Sequence, residues 1–124
     1  MKAIMDLHTH TLAAGHAYST LLENIDAALA VGLQYLGMSE HGPISPGGPH
    51  EFFFSNYKVI PRVYDREETT GRVAPKADGR LRLLCGVEAN ICDTNGTLDL
   101  DERYMQAMDY ALASIHPFAY TAGS

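Results

Sequence analysis

Cysteine is scarce in this chain: there are two, Cys85 and Cys92, and they form no Cys-x-x-Cys pair. That excludes a disulfide framework or a zinc knuckle, and both read as reduced thiols of a cytosolic protein. Basic residues are also few, nine Lys/Arg against fifteen Asp/Glu, for a formal charge of −6. A surface of that sign repels phosphate backbones, so no nucleic-acid partner is expected. Long apolar runs are missing too. The longest, Ala27 to Leu33, falls far short of the roughly 20 residues that a bilayer-spanning helix needs. Lys2 is followed by only three apolar residues before Asp6, which is not the core of a secretory leader. The expectation is a cytoplasmic protein with no membrane partner. No Gly-Lys-Ser/Thr follows the glycines between Gly42 and Gly48, so that loop is not a P-loop. No serine elbow, Cys–His pair, internal repeat or low-complexity tract is present.

What is there is ordinary for one globular domain: 124 residues, 46% apolar and 19% charged. The length is well below the roughly 200–250 residues that a closed barrel of alternating strands and helices takes. Lys2 to His8 reads as a short strand. Thr20-Leu21-Leu22-Glu23 has a capping-box pattern, Leu22, Ile25 and Leu29 share one helical face, and Gly32 suits a left-handed stop. Tyr35 to Ser39 reads as a second strand. Gly42 to Pro49 is loop, followed by Phe52, Phe53 and Phe54, an aromatic cluster expected to anchor it. The stretch 62–80 is dense in charge, with Thr-Thr-Gly and Asp-Gly turns, and reads as an exposed, mobile loop. Leu81 to Glu88 is a third strand, Asp101 can cap a helix carrying Tyr104 and Met108, and Tyr110 to Ile115 is a fourth strand. Strands alternating with helices imply an α/β fold with parallel pairing and crossover helices.

Five of the six histidines fall at or just beyond the C-terminal ends of these strands. His8 and His10 follow the first, with His16 a short loop later. His41 follows the second, Glu88 ends the third, and His116 ends the fourth. In parallel α/β sheets that edge is where functional side chains converge. In extended chain His8 and His10 point to one side, so both can reach a single ion. Imidazole suits zinc, iron and manganese, and a carboxylate such as Glu88 can bridge two ions. Taken singly, His16 is also readable as a loop histidine and His41 as a strand-end residue. Asp6, Glu40 and His50 are secondary candidates, for supporting a ligand imidazole or lining a substrate loop. Glu40 can accept from a ligand imidazole or lie exposed at the strand end. His50 is expected near the rim but not as a ligand, and Tyr18 and Ser19 as packing and entry-turn residues.

Asp6-Leu7-His8-Thr9-His10-Thr11, Gly15-His16-Ala17-Tyr18-Ser19-Thr20, Glu40-His41-Gly42-Pro43, Gly86-Val87-Glu88-Ala89-Asn90-Ile91 and Ala113-Ser114-Ile115-His116 occur in that order. Together they resemble the PHP (polymerase and histidinol phosphatase) family, most closely its YcdX-type phosphatases. The resemblance implies the N-terminal portion of a distorted (β/α)7 barrel of the TIM-like kind. It also implies two or three divalent metal ions, zinc first, with manganese or iron as alternatives. His8 and His10 would bind the first ion with Glu88, which would bridge to a second ion held by His116. His16 and His41 would belong to the third. The implied reaction is hydrolysis of a small phosphate monoester by water activated on the ions, with no protein nucleophile.

The family's pattern continues with a further histidine and an Asp-x-His pair, which are absent here. The expectation is therefore a single partial domain over residues 1–124, completed by a missing C-terminal half or by homo-oligomerisation. Two alternative functions stand beside the phosphatase: a metal-binding remnant or subunit with impaired turnover, and an amidohydrolase-type metal hydrolase, which also places His-x-His after its first strand.

Overall fold

The longest strand organises the molecule. In the computed structural model, which describes residues 3–121, Leu81–Asn90 forms one continuous strand, and Leu81, Leu83, Cys85, Val87 and Ala89 along it are fully buried. Side chains alternate between the faces of a strand, so these five share one face and Glu88 and Asn90 the other. In chain order the elements are β1 (Met5–Thr9), α1 (Leu21–Val31), β2 (Tyr35–His41), β3 (Val63–Arg66), β4 (Val73–Pro75), β5 (Leu81–Asn90), α2 (Glu102–Met105) and β6 (Tyr110–Ser114). Lys2, the expected start of the first strand, lies outside the described residues.

The fold is mixed α/β with a parallel-rich sheet. β1 pairs with β2, β2 with β5, and β5 with β6, all parallel. The far edge of β5 is shared. β6 takes residues 86–90, while β3 runs antiparallel along residues 81–82 and carries β4 outside it. Among the described residues β1 and β6 each pair on one side only.

The stretch expected as a mobile loop over residues 62–80 is therefore a hairpin fixed to the central strand. Tyr64 is buried, Val73 packs against the core, and Arg62, Arg66 and Arg80 pair with Asp109, Asp26 and Asp65. The high charge density hid a strand whose charges are matched in place.

Helix α1 forms as its caps dictate. The Thr20 side chain accepts from Glu23 N, Glu23 Oε1 accepts from Thr20 N at 3.0 Å, and Gly32 closes the end at φ +85°. Its buried stripe is Ile25, Ala28 and Leu29, whereas Leu22, expected on that face, is half exposed. The stripe meets Leu36 and Met38 of β2 and the inner residues of β5. In place of a second long crossover helix, a 3-10 segment, Glu51–Val59, inserts Phe54 and Tyr57 into the same core, with the Tyr57 hydroxyl donating to Gly86 O at 2.9 Å. Phe54 is the anchor expected of the aromatic cluster, and Phe52 is exposed. The helix after Asp101 is a single turn, with Met108 beyond it but still against the core.

On the opposite face one tyrosine crosses the sheet. Tyr110 extends from β6 over Gly86 and Gly37, and its hydroxyl donates to Leu7 O of β1 at 2.6 Å. A Cβ on Gly37 would lie 2.3 Å from that hydroxyl, so both glycines are needed for the close approach.

Candidate metal centre

The first strand does not reach the site as a regular strand. Asp6 pairs with Leu36 but Thr9 with Met38, so β1 carries one extra residue between them. Such a bulge reverses which residues face each side. Residues before it would turn Leu7 toward the Tyr110 face; after it, His8 and His10 take that face. Asp6 Oδ1 accepts from His8 N at 3.1 Å, within the irregular stretch. That is the place of the secondary candidate Asp6.

Glu88 is the centre of the resulting cluster. It lies directly opposite His41 in the β2–β5 register. Its Oε1 is 2.9 Å from His8 Nε2, 3.3 Å from His10 Nε2 and 3.5 Å from His41 Nδ1. Its Oε2 accepts from Ser114 Oγ at 2.8 Å and lies 3.9 Å from His116 Nε2. The rings of His10 and His41 stack with centroids 4.3 Å apart, and His16 meets His41 edge-on at 5.6 Å. The structure thus gathers all five strand-end histidines and Glu88 at one rim. His50 is not among them: it caps the 3-10 segment, its Nδ1 accepting from Phe52 N at 3.0 Å.

Glu40 is fully buried, which removes the reading of an exposed strand-end carboxylate. It accepts from Thr11 N at 2.8 Å and from the Thr11 hydroxyl, and its Oε1 lies 3.8 Å from His10 Nδ1. It therefore ties the turn after His10 to β2. That turn ends at Gly15, φ +81°, where a Cβ would sit 2.2 Å from Gly47 O. The close backbone contact joins the His16 turn to the Gly42–Gly48 loop. Tyr18 does not pack there; it is 94% exposed.

Burial holds the imidazoles of His10 and His41 below the usual histidine range, because a charged ring is disfavoured away from water. For Glu88 burial acts upward, but hydrogen bonds from Ser114 and His8 and the nearby rings outweigh it and hold the carboxyl below its usual value. At His10, His41 and Glu88 these directions favour neutral rings beside an ionised carboxylate, the protonation state that metal ligands require. One ligand atom each from His8, His10 and Glu88 lies within 4.8 Å of the others. The Nδ1 atoms of His10 and His41 are buried and make no hydrogen bond among the described residues. Buried polar atoms left unpaired are costly; His41 Nδ1 is turned toward Glu88, where a cation could reach it, whereas His10 Nδ1 faces Glu40 and offers Nε2 to the Glu88 side. The donor set of imidazole and carboxylate fits zinc, manganese or iron.

Three residues at this site carry no assignment from sequence reasoning: Ser114, which orients Glu88; Asn90, whose Oδ1 is 2.7 Å from His116 Nδ1; and Asp99, which accepts from Asn90 N and Nδ2 at 2.8 Å each. Asn90 shares a strand face with Glu88, and Asn90 and Ser114 lie within the motifs that carry the family resemblance; Asp99 has no such signal.

A parallel-rich sheet that brings imidazoles and a carboxylate to its strand ends defines an α/β protein with a rim where His8, His10 and Glu88 could hold a metal. The PHP domain profile matches residues 6–124, and the chain belongs to the PHP domain family. It is 43% identical over 125 residues to a protein of Clostridium acetobutylicum named a probable phosphatase, covering 100% of this chain and 45% of that protein. A probable phosphatase of Caldanaerobacter subterraneus subsp. tengcongensis is 43% identical over 116 residues, 94% of this chain and 40% of its own length. One of Photobacterium profundum is 42% identical over 123 residues, 98% and 44% respectively. The chain thus spans less than half the length of these relatives.

Proposed function

We propose that the chain carries the metal-binding rim of a metal-dependent phosphoesterase acting on small phosphate monoesters. The observation that supports this most is the convergence of four imidazoles, His8, His10, His41 and His116, on Glu88, with His16 edge-on to His41 beside them. The names of the relatives point the same way. His8, His10, His16, His41, His116 and Glu88 would hold two or three divalent ions, zinc first, with manganese or iron as alternatives.

When bound, such ions supply Lewis-acid polarisation of the phosphoryl group and activation of water. The chain's own residues do the rest. Ser114 fixes the Glu88 carboxylate, Glu40 and Thr11 hold the turn between His10 and His16, and the bulge at Asp6 aims His8 and His10. The sheet, on this reading, is part of a distorted (β/α)7 barrel. Exposed Ile4, Met5, Leu12, Ile115 and Phe118 are the apolar residues that a longer chain or a second copy would cover.

The test is elemental analysis of the purified chain together with phosphate release from a generic aryl phosphate in added Mn²⁺ or Zn²⁺. Bound metal and turnover that His8→Ala abolishes are the expected result. A chain that takes up no metal and stays inactive overturns the proposal. Metal uptake without phosphate release would select a second reading, a metal-binding subunit without turnover of its own. The amidohydrolase-type alternative is not carried further, because the family matched is the PHP domain.

A further inference from the structure

We propose that Asp99, acting through Asn90, fixes the proton of His116 on Nδ1 and so presents the Nε2 lone pair toward Glu88. The inference rests on the reading of the rim as a cation site and names two positioning residues for it.

The chain of reasoning is one of donors and acceptors. Asp99 Oδ1 accepts from Asn90 N at 2.8 Å, and Oδ2 lies 2.8 Å from Asn90 Nδ2 and 3.1 Å from Ile44 N. A carboxylate offers acceptors only, so the end of the Asn90 amide that faces it must be the NH₂. The second amide proton goes to Ser45 Oγ, 2.9 Å away. Both protons are then placed, and the amide cannot be turned over without setting its oxygen against the Asp99 carboxylate. Its Oδ1 consequently faces His116 Nδ1 at 2.7 Å. An amide oxygen cannot donate, so Nδ1 carries the hydrogen, and in the neutral ring Nε2 is left with the lone pair. That nitrogen is the one 3.9 Å from Glu88 Oε2.

Two further features single out this arrangement. Asn90 is fully buried, so water cannot substitute for either partner. No other rim imidazole has a nitrogen remote from Glu88 hydrogen-bonded among the described residues: His10 Nδ1 makes no hydrogen bond and lies 3.8 Å from Glu40 Oε1, and His41 Nδ1 is turned to Glu88 itself. Asp99 is also wedged against the glycine-rich loop, where a Cβ on Gly42 would lie 2.3 Å from both carboxylate oxygens. A purely structural Asp99 would hold that loop and leave the His116 tautomer free; the positioning role fixes it.

The test reads the tautomer directly. Long-range ¹H–¹⁵N correlation spectra of the metal-free, ¹⁵N-labelled chain at about pH 8, above the ordinary histidine range, distinguish Nδ1–H from Nε2–H rings. The expected result is Nδ1–H for His116, lost or mixed in Asp99→Asn and Asn90→Leu. Zn²⁺ affinity, followed by equilibrium dialysis, should fall roughly 10–100-fold in both variants, the range for removing a partner of a ligand imidazole. His116 in the Nε2–H form in the unaltered chain overturns the proposal, whether or not the variants fold. So does an Asp99→Asn chain with unchanged tautomer and unchanged Zn²⁺ affinity. An unaltered chain that shows Nδ1–H but binds no Zn²⁺ sinks the cation reading and leaves the assignment of the His116 proton standing.

Discussion

Two charged clusters sit on opposite halves of the sheet, and they are built on opposite rules. On the hairpin, Asp65 meets Arg80 at 2.8 Å, and Arg66 reaches Asp26. These charges are matched side chain to side chain, with Arg80 and Asp26 open to water. At the rim, one carboxylate faces several imidazoles, and among the described residues no Lys or Arg pairs with it and two buried nitrogens go without hydrogen bonds. The hairpin is complete as the protein makes it. The rim leaves buried ring nitrogens without hydrogen bonds, and on the proposed reading that incompleteness, more than the presence of charge, is what a cation would satisfy.

The hardest blow to this contrast is Glu88→Gln. It keeps the shape of the side chain but removes the charge at the centre of the cluster. Dialysis against Zn²⁺ or Mn²⁺ should show affinity falling by more than about 100-fold, beyond the range for loss of a supporting partner. Retained affinity would mean that the rim is not organised around Glu88. Next in size is the stabilisation by metal itself. A cation at about 100 times its Kd should stabilise the folded state by about 2.7 kcal/mol, seen as an upward shift in Tm that a chelator reverses. The shift should vanish in Glu88→Gln.

How much of this contrast is legible in sequence follows from what each half is made of. His8, His10, His41, Glu88 and His116 announce themselves because a strand's end is readable from its apolar run and their chemistry is unusual there. The bulge that aims His8 and His10 leaves no such trace: it is one residue of mismatch between β1 and β2, set by pairing across the chain. Asn90 and Asp99 are ordinary polar residues whose role depends on which atoms they face after folding. The hairpin was misread for the converse reason. Its charges suggested solvent and mobility, while the residues that fix it, Tyr64 and Val73, are two among many. Local periodicity carries the elements; long-range register carries the site.

Acid should separate the two clusters. His10 and His41 have folded values lowered by burial from an ordinary 6.5. As pH falls below that value the unfolded chain takes up protons that the folded chain resists, so stability is present above about pH 6.5 and is lost as pH falls through the lowered folded values. Asp65, held down chiefly by the Arg80 hydrogen bond, acts in a lower window: its contribution is present above about 3.8 and lost below it. Urea midpoints of the metal-free chain, read between about pH 8 and about pH 5, should fall with pH before the hairpin begins to titrate. Replacing His10 and His41 together by Gln should flatten that first limb and leave the lower one. A flat profile across that interval would remove the argument that these rings are held neutral by burial.

The smallest effect is expected from the hairpin, and it tests the independence of the two clusters. Arg80 is 64% exposed at its side chain, and its pair with Asp65 is screened by water. Arg80→Ala should therefore leave Tm nearly unchanged and make the lower acid limb shallower, since Asp65 loses the partner that holds its carboxyl down. Cation affinity should not move, because among the described residues no hydrogen bond or ion pair links Asp65 or Arg80 to Glu88 or its imidazoles. A fall in affinity in this variant would show that hairpin and rim are coupled through β5, the strand both of them share, and would replace the contrast drawn between them with a single cooperative unit.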